Sequence, residues 1–397
     1  MRVSRSSLYM GSKVVLLTEY FPPHPGGTPR WFYNLYRRLR RWGVTIVTRY
    51  GAGVSSGNVR VRTVPWQLDT WTLFKPKNWL EYYKLVAFTL KIARDVGADC
   101  IHAGRCIPEG IVCWVLKHLW EIPYVCFVHG EDIEIAWRCW EYYLLVKPVL
   151  RHADLIIANS RFTRQLLVSK WRVPTARVWI LHPGTDSTYF RPDAAHSRRD
   201  SFTILCSGRF QRRKGQDVLL RAVALLRDKM SNLRCIFAGS GEDRVYLRSL
   251  AEELGVTNQV AWCEFPSDGE LLELYRAADL VALPNREVNG DCEGFGIVLL
   301  EAQACGKPVV CGDSGGTRET LLPGRSGIVV DCTDAGRLAD AIFRLYQNRQ
   351  SLPYMGQVAR RWVERYFDWS VLLAKADILM RRGVSESASQ KAAEICS

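Results

Sequence analysis

Residues 203–228 read TILCSGRFQRRKGQDVLLRAVALLRD and contain the pattern on which the fold prediction depends. The short apolar run Thr203–Cys206 is typical of a buried β-strand, and the glycines of Ser207–Gly215 favour a tight turn. Apolar side chains then recur at helical spacing through Gln216–Asp228. A strand, a glycine-containing loop and a helix in this order predict one unit of a parallel, helix-covered sheet.

The same alternation of strands and helices continues on both sides of this unit. The polar stretch Arg191–Asp200 interrupts it once, so the sequence predicts two doubly wound α/β domains, over residues 1–190 and 201–366, joined by one linker. The predicted strands are Val14–Leu17, Val44–Val47, Tyr124–Val128, Leu155–Ala158, Val178–Leu181, Thr203–Cys206, Arg234–Phe237, Val260–Trp262, Leu280–Leu283, Val309–Cys311 and Gly327–Val330. The predicted helices include Trp31–Trp42, Trp79–Asp95, Gln216–Asp228, Val245–Leu254, Glu270–Ala277, Gly296–Ala304 and Ala335–Gln347.

The composition limits the classes of protein to which this chain can belong. With 397 residues, 48% of them hydrophobic, the chain is long enough for two hydrophobic cores. It lacks the apolar run of about 18 residues that a spanning helix needs, and Val14–Leu17 is too short for a signal-peptide core, so a cytoplasmic location is expected. The 13 scattered cysteines, without Cys-x-x-Cys spacing, favour reduced thiols and predict no metal site.

The segment Glu293–Glu301, EGFGIVLLE, combines two carboxylates eight positions apart with a glycine-rich turn and an apolar helix start. Gly294 and Gly296 let backbone N–H groups approach an anion, and a helix that opens there directs its partial positive charge at a phosphate. Because carboxylates do not favourably face phosphates, the two glutamates indicate hydroxyl groups, such as those of a ribose and a sugar. The alternative is a solvated helix start with two unrelated acids.

Three further groups follow predicted strands, at the edge of a parallel sheet where ligands bind. Gly26 and Gly27 allow either a close approach to a phosphate or sugar, or simply a tight turn. Arg209 and Lys214 supply a bidentate donor and a point charge suited to a diphosphate, unless their loop is only solvated. His129 directly follows an apolar strand, where an imidazole has either a binding or a structural role.

Taken in order along the chain, these motifs resemble those of the family-four retaining glycosyltransferases of GT-B fold, in which two Rossmann-like domains face each other across a cleft. The resemblance covers about Lys13 to Phe367 and includes a similarity to lipid-directed mannosyltransferases of that family. It rests on Gly26-Gly27, His129-Gly130, Ser207-Gly208-Arg209 with Lys214-Gly215, Gly239-Ser240-Gly241, the Glu293–Glu301 segment followed by Gly306-Lys307-Pro308-Val309-Val310, and Gly315-Gly316-Thr317-Arg318-Glu319.

The resemblance implies transfer of a hexosyl group from a nucleotide-diphosphate sugar to an acceptor hydroxyl, with retained anomeric configuration and without a metal or other cofactor. Glu301 would hold the ribose hydroxyls, Glu293 the hydroxyls of the transferred sugar, and the backbone around Cys263–Phe265 the base. Arg209 and Lys214 would neutralise the departing diphosphate.

The remaining implied roles follow the same resemblance. His129 would lie near the donor sugar, and the glycine pair after the first strand would lie beside the diphosphate. The implied catalytic residues are His129, Arg209, Lys214 and Glu293. The implied substrate-binding residues are Gly26, Gly27, Phe295, Gly296, Ile297, Val298 and Glu301.

Two segments depart from the family pattern. Pro183-Gly184-Thr185-Asp186 stands where members often carry Asn-Gly-Val-Asp, which alters a turn. Gly315-Gly316-Thr317-Arg318-Glu319 stands where Gly-Gly-x-Pro-Glu is common, so its middle residues have no assigned role. The last helix of the family often crosses back onto the front domain, which is predicted here for residues 367–382, followed by a disordered tail over 383–397.

The net charge is concentrated in the front half. Residues 1–190 carry 26 Lys and Arg against 13 Asp and Glu, which accounts for +13 of the formal net charge of +14. Arginines flank the apolar face of the helix Trp31–Trp42, and Trp and Tyr occur throughout Pro65–Tyr83. Either this is a solvated basic face, or the front half lies peripherally on the anionic inner face of a membrane that delivers a lipid-linked acceptor.

Two other function classes compete with the enzyme. Nucleic-acid binding is disfavoured because the basic residues are spread out and the aromatic residues form no RNA-binding signature. A non-catalytic nucleotide-sugar-binding protein would keep the same fold, but the complete set of diphosphate and carboxylate residues favours catalysis. The predicted partners are therefore a nucleotide-sugar donor and a glycan or lipid-linked acceptor, with no nucleic acid.

Overall fold

The structure is a computed structural model that describes residues 12–51, 57–66, 68, 70–73, 75–193 and 201–395, with side chains described up to residue 384. The chain divides into two compact units. Unit 1 comprises the residues up to His182 together with those from Leu372 onward, and unit 2 comprises Pro183–Val371.

Unit 1 is built on one parallel sheet covered by helices. Its strands are β1 (Lys13–Thr18), β2 (Gly43–Thr48), β3 (Val59–Thr63), β4 (Cys100–Ala103), β5 (Tyr124–Val128), β6 (Leu155–Ala158) and β7 (Val178–Ile180). Its helices are α1 (Gly27–Arg38), α2 (Pro76–Val96), α3 (Glu109–Trp120), α4 (Glu131–Arg138), α5 (Trp140–His152) and α6 (Arg161–Ser169). The described residues form a seven-stranded sheet in the order β3-β2-β1-β4-β5-β6-β7.

This order places the start of the sequence in the middle of the sheet, so the direction of strand addition reverses between β1 and β4. The central strands β4, β5 and β6 are buried along their whole length, because helices cover both faces of the sheet. The carboxyl ends of β1 and β4 form the topological switch point, where open α/β sheets bind ligands.

Unit 2 repeats this architecture. Its strands are β8 (Phe202–Ser207), β9 (Leu233–Ala238), β10 (Val260–Cys263), β11 (Leu280–Leu283), β12 (Val309–Gly312) and β13 (Gly327–Val330). Its helices are α7 (Gln216–Leu226), α8 (Arg244–Glu253), α9 (Asp268–Ala277), α10 (Ile297–Ala304), α11 (Ala335–Gln347) and α12 (Leu352–Tyr366). Its described residues form a six-stranded sheet in the order β10-β9-β8-β11-β12-β13, with the switch point between β8 and β11.

The predicted fold class is confirmed, but the predicted strands omit β3 and β4. The β3 sequence VRVRT lies at the edge of the sheet, and only its first residue is buried. Its exposed arginines interrupt the run of apolar residues from which a buried strand is predicted. In β4 the buried His102 interrupts the apolar run, and its Nδ1 lies 2.6 Å from the Tyr36 hydroxyl oxygen. Burial lowers the pKa of His102 to about 3, so a neutral imidazole occupies this core position.

The boundary between the units lies eight residues earlier than the predicted end of the front domain. Residues from Pro183 onward belong to unit 2 because the segment pairs with the chain just after α12. The Thr185 N–H donates to the Phe367 carbonyl (2.9 Å), and the Ser187 hydroxyl donates to the Asp368 carboxylate (2.6 Å). Of the predicted linker, residues 194–200 lie outside the described part of the chain.

The last helix, α13 (Trp369–Ile395), changes unit along its length. From Leu372 it belongs to unit 1, where its Asp377 accepts a hydrogen bond of 2.8 Å from the Trp42 indole nitrogen. The helix begins two residues later than predicted and runs through 383–395, where a disordered tail was predicted. That segment contains three Ala and two Glu, which favour a helix.

No helix in the described part of the chain has both the length and the apolar character needed to cross a membrane.

Candidate functional site

In unit 2, the loops that follow β8 and β11 are in direct contact at the switch point. The Arg286 N–H donates to the Arg213 carbonyl at 2.9 Å. Gly215 has a φ of +76°, and a Cβ atom at this position would lie 1.8 Å from the Pro284 carbonyl oxygen. Only glycine fits here, and this close approach fixes the basic loop against the neighbouring strand end.

The basic side chains of this loop contact the first of the two predicted glutamates. Arg213 Nη1 donates to Glu293 Oε2 at 2.7 Å, and Lys214 Nζ forms an ion pair with the same oxygen. All three side chains are largely buried, with exposed fractions of 11% to 13%. The structure therefore brings together two of the predicted catalytic residues, Lys214 and Glu293, through one shared carboxylate oxygen.

The other oxygen of Glu293, Oε1, forms no hydrogen bond with any residue that the structure describes. Burial alone would raise the pKa of Glu293, but Lys214 and Arg213 lower it to about 2. The carboxylate is therefore ionised at neutral pH and keeps one oxygen available to accept a hydroxyl proton.

Arg209, in the same loop, has a different environment. Its side chain is exposed and forms no ion pair with any described residue, while its carbonyl accepts a hydrogen bond of 3.0 Å from the buried Gln216 side chain. The neighbouring Arg212 is paired with Asp243 at 3.4 Å and with Asp217 at 3.7 Å. The guanidinium of Arg209 is thus available to an anion without breaking an internal pair.

The helix α10 begins beside Glu293. Its N-cap residue, Gly296, has a φ of +90°, and the N–H groups of Ile297 and Val298 donate to no acceptor among the described residues. These unpaired N–H groups at a helix N-terminus are suited to a phosphate oxygen. Phe295 differs, because its side chain is buried against Phe367 at a ring separation of 5.9 Å, which leaves only its backbone for a ligand.

Glu301, on α10, is buried, and its Oε2 accepts a hydrogen bond of 2.9 Å from the hydroxyl of Tyr275 on α9. Tyr275 is itself fully buried, so it fixes the orientation of the carboxylate. Nothing in the local sequence marks Tyr275, since its partner lies 26 positions away and the two helices meet only in the folded unit.

In unit 1, His129 follows β5 and contacts the helix that begins at the predicted glycine pair. Its ring packs edge-on against Trp31 and Phe32 of α1, with centroid separations of 5.5 and 5.8 Å. Gly26 is the N-cap of α1 and Gly27 its first residue. The structure therefore brings His129 close to the first turns of the helix that Gly26 and Gly27 start.

The tautomer of His129 follows from its partner. Nε2 lies 2.8 Å from the Gly104 carbonyl oxygen, which can only accept, so Nε2 carries the proton. Burial lowers the pKa of His129 below its ordinary value, so the ring is neutral at physiological pH. Its Nδ1 is then an acceptor, and it has no partner among the described residues.

Asp132 holds the turn around His129. Its Oδ1 accepts hydrogen bonds from the N–H groups of His129 (3.2 Å), Gly130 (3.1 Å) and Ile133 (3.0 Å). Asp132 has no predicted role, although Asp is a residue type whose side chain often accepts hydrogen bonds from nearby backbone N–H groups in turns.

Two residues with no predicted role organise the strand ends of unit 2. The buried Asn285 donates to the Ser314 carbonyl (2.7 Å) and accepts from the Gly312 N–H (3.0 Å). The buried Thr317, whose role the family pattern left open, donates to the Gly312 carbonyl (2.9 Å). Together they tie the loop after β11 to the loop after β12.

Phe265 marks the segment that the resemblance assigns to the base. It follows β10, has a φ of +52°, which is strained for a bulky residue, and its side chain is 74% exposed. The residue before it, Glu264, is held by Arg244 (2.9 Å) and Arg248 (2.7 Å). These two pairs fix the backbone from which Phe265 projects.

In the described part of the chain, no group of three or more His, Cys, Asp and Glu side chains could hold a metal ion.

The chain is similar in sequence and in fold to known glycosyltransferases. The family described as Glycosyl transferases group 1 matches residues 191–362, and Glycosyltransferase Family 4 matches residues 25–189. Sucrose-phosphate synthase from Thermosynechococcus elongatus has a similar structure, with a TM-score of 0.82, 22% identity and coverage of 94% of this chain and 98% of that one. The two doubly wound sheets thus place the chain in the GT-B class of glycosyltransferase folds.

Curated relatives show to which family within this fold class the chain belongs. A GDP-mannose-dependent alpha-(1-6)-phosphatidylinositol monomannoside mannosyltransferase of Mycolicibacterium smegmatis is 33% identical over 93% of this chain and 98% of its own length. The enzyme of that name from Mycobacterium tuberculosis is 29% identical with the same coverage. The chain therefore belongs to the family-four glycosyltransferases, and it is an enzyme that transfers a hexosyl group from a nucleotide-sugar to an acceptor hydroxyl.

Proposed function

We propose that this enzyme transfers mannose from GDP-mannose to a hydroxyl of an inositol-containing membrane lipid, with retention of the anomeric configuration. The proposed reaction rests mainly on one observation. At the switch point of unit 2, the Glu293 carboxylate is held by Lys214 and Arg213, and neither its Oε1 nor the Arg209 side chain of the same loop is paired with any residue that the structure describes.

Each group has a distinct part in the proposed reaction. Oε1 of Glu293 accepts a hydrogen bond from a hydroxyl of the transferred sugar, and Glu301, oriented by Tyr275, accepts from the ribose. Arg209 and Lys214 stabilise the negative charge that develops on the leaving diphosphate, assisted by the N–H groups at the start of α10. Neutral His129 offers Nδ1 as an acceptor for a sugar hydroxyl.

Charge stabilisation on the leaving group favours a front-face route. In this route the glycosyl–diphosphate bond breaks while the acceptor hydroxyl attacks the same face, and the proton of that hydroxyl passes to the departing diphosphate. The donors around the diphosphate interact more strongly with the departing group than with the bound substrate, which is the requirement for lowering the barrier. We further propose that no metal ion takes part, because Arg209 and Lys214 supply the positive charge.

The identities of the substrates rest on the relatives. Two enzymes that match 93% of this chain carry names that specify GDP-mannose as donor and a phosphatidylinositol monomannoside as acceptor. Peripheral attachment to an anionic membrane surface follows from such an acceptor and from the basic front half of the chain. The exposed Trp79 and Tyr83 on α2 support this part of the proposal, whereas Trp31, Trp42 and Trp66 are buried and contribute nothing to a surface.

Nucleotide binding provides the first test. A cognate nucleotide at about 100 times its dissociation constant adds about 2.7 kcal/mol to the free energy of unfolding. We expect GDP and GDP-mannose to raise the melting temperature and UDP to leave it unchanged. Stabilisation by UDP alone would overturn the proposed donor.

Product analysis provides the second test. The enzyme is incubated with GDP-mannose and vesicles that contain phosphatidylinositol monomannoside, and the anomeric configuration of the product is read by NMR. An α-linked product formed at the same rate with and without EDTA is expected. A β-linked product contradicts retention, and loss of activity that Mg²⁺ restores contradicts metal independence.

Membrane attachment is tested separately. We expect the enzyme to pellet with phosphatidylglycerol vesicles and to be released by salt, because roughly 1 kcal/mol per surface Lys or Arg is electrostatic. Equal pelleting with phosphatidylcholine vesicles would remove the electrostatic argument.

A further inference from the structure

The outer face of α2 and α3 in unit 1 carries large apolar side chains that the core does not use. Tyr83 on α2 is 70% exposed and Leu119 on α3 is 65% exposed, whereas Leu85 and Leu116 of the same helices are fully buried in the core. The outer face of a helix in an α/β unit is ordinarily polar. A contiguous apolar surface of this kind indicates an interaction site.

These side chains line a groove between the two helices. Its volume is about 640 Å³, which lies within the range of small-molecule sites. Its walls are formed by Tyr83, Val86 and Leu90 of α2 and by Val115, Leu119 and Trp120 of α3. An elongated ligand without polar groups suits such walls, because they offer few hydrogen-bond partners.

One end of the groove is charged. Lys91 and Arg94 of α2 lie there with Asp95, and neither cation forms an ion pair with any described residue. Both cations are exposed. Two positive charges and one negative charge leave this end of the groove with a net positive charge. This favours binding of an anionic group at one end of an otherwise apolar groove.

The groove is separate from the loops already described in unit 1. In a parallel sheet each helix runs back from the carboxyl end of one strand to the start of the next, so the C-terminal turns of α2 and α3 lie at the opposite edge of the sheet from His129. Lys91 and Arg94 are in the last two turns of α2. A molecule whose charged group is bound there is not in the position of a reacting substrate.

We propose that this α2–α3 groove binds one acyl chain of an anionic membrane lipid, with the chain between the helices and the anionic head at Lys91 and Arg94. The site is an accessory lipid site and goes beyond the proposed reaction. It adds the insertion of one acyl chain to the electrostatic attachment of the front half.

The proposal is tested by calorimetric titration of the full chain with dodecyl phosphate below its critical micelle concentration. We expect saturable binding at one site, no binding of inorganic phosphate, and binding of dodecyl maltoside that is weaker by about fivefold or more. Equal affinity for dodecyl maltoside would overturn the assignment of an anionic head.

Two variants locate the site. Ala87→Trp fills the groove from its exposed α2 side, and Leu119→Asp places a charge in its wall; each is expected to weaken dodecyl phosphate binding by about tenfold or more. Leu225→Asp, an identical change at an exposed leucine on α7 of unit 2, is the matched control and should bind as the unaltered chain does. An unchanged melting-temperature shift with GDP verifies that all three variants are folded and that donor binding is intact.

Unchanged binding in both groove variants would place the ligand elsewhere and overturn the proposal. Sedimentation analysis tests the alternative that a second copy of this chain covers the groove. If the unaltered chain is a dimer that Leu119→Asp dissociates, and dodecyl phosphate does not bind, the groove is an interface between two copies and the lipid site is wrong.

Discussion

Arg209 and Lys214 belong to one loop and are both predicted to act on the diphosphate, yet they differ in what they contact. Lys214 is largely buried and paired with Glu293, whereas Arg209 is exposed and unpaired among the described residues. A contribution to catalysis can therefore be separated from a contribution to stability at this site.

Arg209→Ala is expected to lower kcat by about a hundredfold, the usual effect of removing one preorganised donor from a developing negative charge. The free energy of unfolding should change by less than about 0.5 kcal/mol, because no internal ion pair is lost. Steady-state kinetics and denaturant unfolding measure the two quantities. The control is Arg221→Ala, at an exposed arginine on α7, and a kcat equal to that of this control would exclude the leaving-group role of Arg209.

Lys214→Ala should lower both kcat and stability, since it removes one partner of the buried Glu293 carboxylate. A loss of several kcal/mol is typical when a buried pair is broken, although Arg213 remains to hold the carboxylate and reduces that loss to roughly 1–3 kcal/mol. The same two measurements apply. Normal stability with reduced kcat would mean that the ion pair contributes nothing to folding.

The depressed pKa of Glu293 predicts a pH dependence of stability. The value of about 2 lies below the unfolded value of about 4.3, so the carboxylate stabilises the fold above pH 4.3 and this contribution disappears as the pH falls towards 2. The full contribution corresponds to about 3 kcal/mol. The difference in unfolding free energy between the unaltered chain and Glu293→Gln should therefore shrink between pH 5 and 2. A difference that is constant across this range would contradict the assigned pKa.

At the scale of elements, the candidate site depends on how closely strand-end loops approach each other. Gly215 lies against Pro284, and Gly315 lies against Glu293, where a Cβ atom would be 2.0 Å from the carbonyl oxygen of the glutamate. The Gly316 N–H also donates to that oxygen at 2.9 Å. The loops after three neighbouring strands are thus fitted to one another through glycine positions, and the ionic groups are placed by this fit.

Gly215→Ala tests this fit against a matched control. Gly215 and Gly324 share a φ of +76°, but a Cβ atom at Gly324 meets nothing within 4 Å. Both changes cost about 1 kcal/mol for the left-handed backbone, and only Gly215→Ala should add several kcal/mol and displace Lys214. Chemical denaturation and GDP affinity measure the two effects. Equal losses in both variants would show that backbone conformation alone, and not the approach to Pro284, requires glycine.

The elements that the sequence predicts best are the strands that are buried along their whole length. Strands β5, β6 and β11 are apolar along their length and were predicted within one residue, because burial on both faces leaves an uninterrupted signal. The edge strand β3 was missed because an edge strand is half solvated and its arginines are compatible with a loop.

At the scale of the whole molecule, α13 makes unit 1 discontinuous in sequence. Asp377 accepts from the Trp42 indole through Oδ1 and from Arg381 through Oδ2, each at 2.8 Å. The ring of Trp179 lies under the Arg382 guanidinium at 4.3 Å from its centroid, and Gly383 lies against Val125 of β5. The stability of unit 1 therefore includes residues from the end of the chain.

Asp377→Ala is expected to lower the free energy of unfolding of unit 1 by about 1–2 kcal/mol, because the Trp42 indole N–H and Arg381 lose their acceptor. Ile378→Ala, at the adjacent 65% exposed position of the same helix, should change it by less than about 0.5 kcal/mol. Denaturant unfolding followed by tryptophan fluorescence reports on this unit, which contains most of the tryptophans. Equal effects of the two changes would mean that the hydrogen bond to Trp42 does not hold the helix.

Local patterns in the sequence predict the fold class, the position of most strands along the chain, the glycine turns and the family, since each of these depends on residues close together in the chain. It also identified candidate site residues, whose roles are still predictions. Three features appear only in the folded chain: Arg213 and Lys214 share the carboxylate of Glu293, Tyr275 holds Glu301, and unit 1 is completed from Leu372 onward. The physical reason is that these contacts join residues that lie from 26 to several hundred positions apart in the sequence. Which of these residues come into contact depends on the order of strands in each sheet, and no local sequence pattern contains that order.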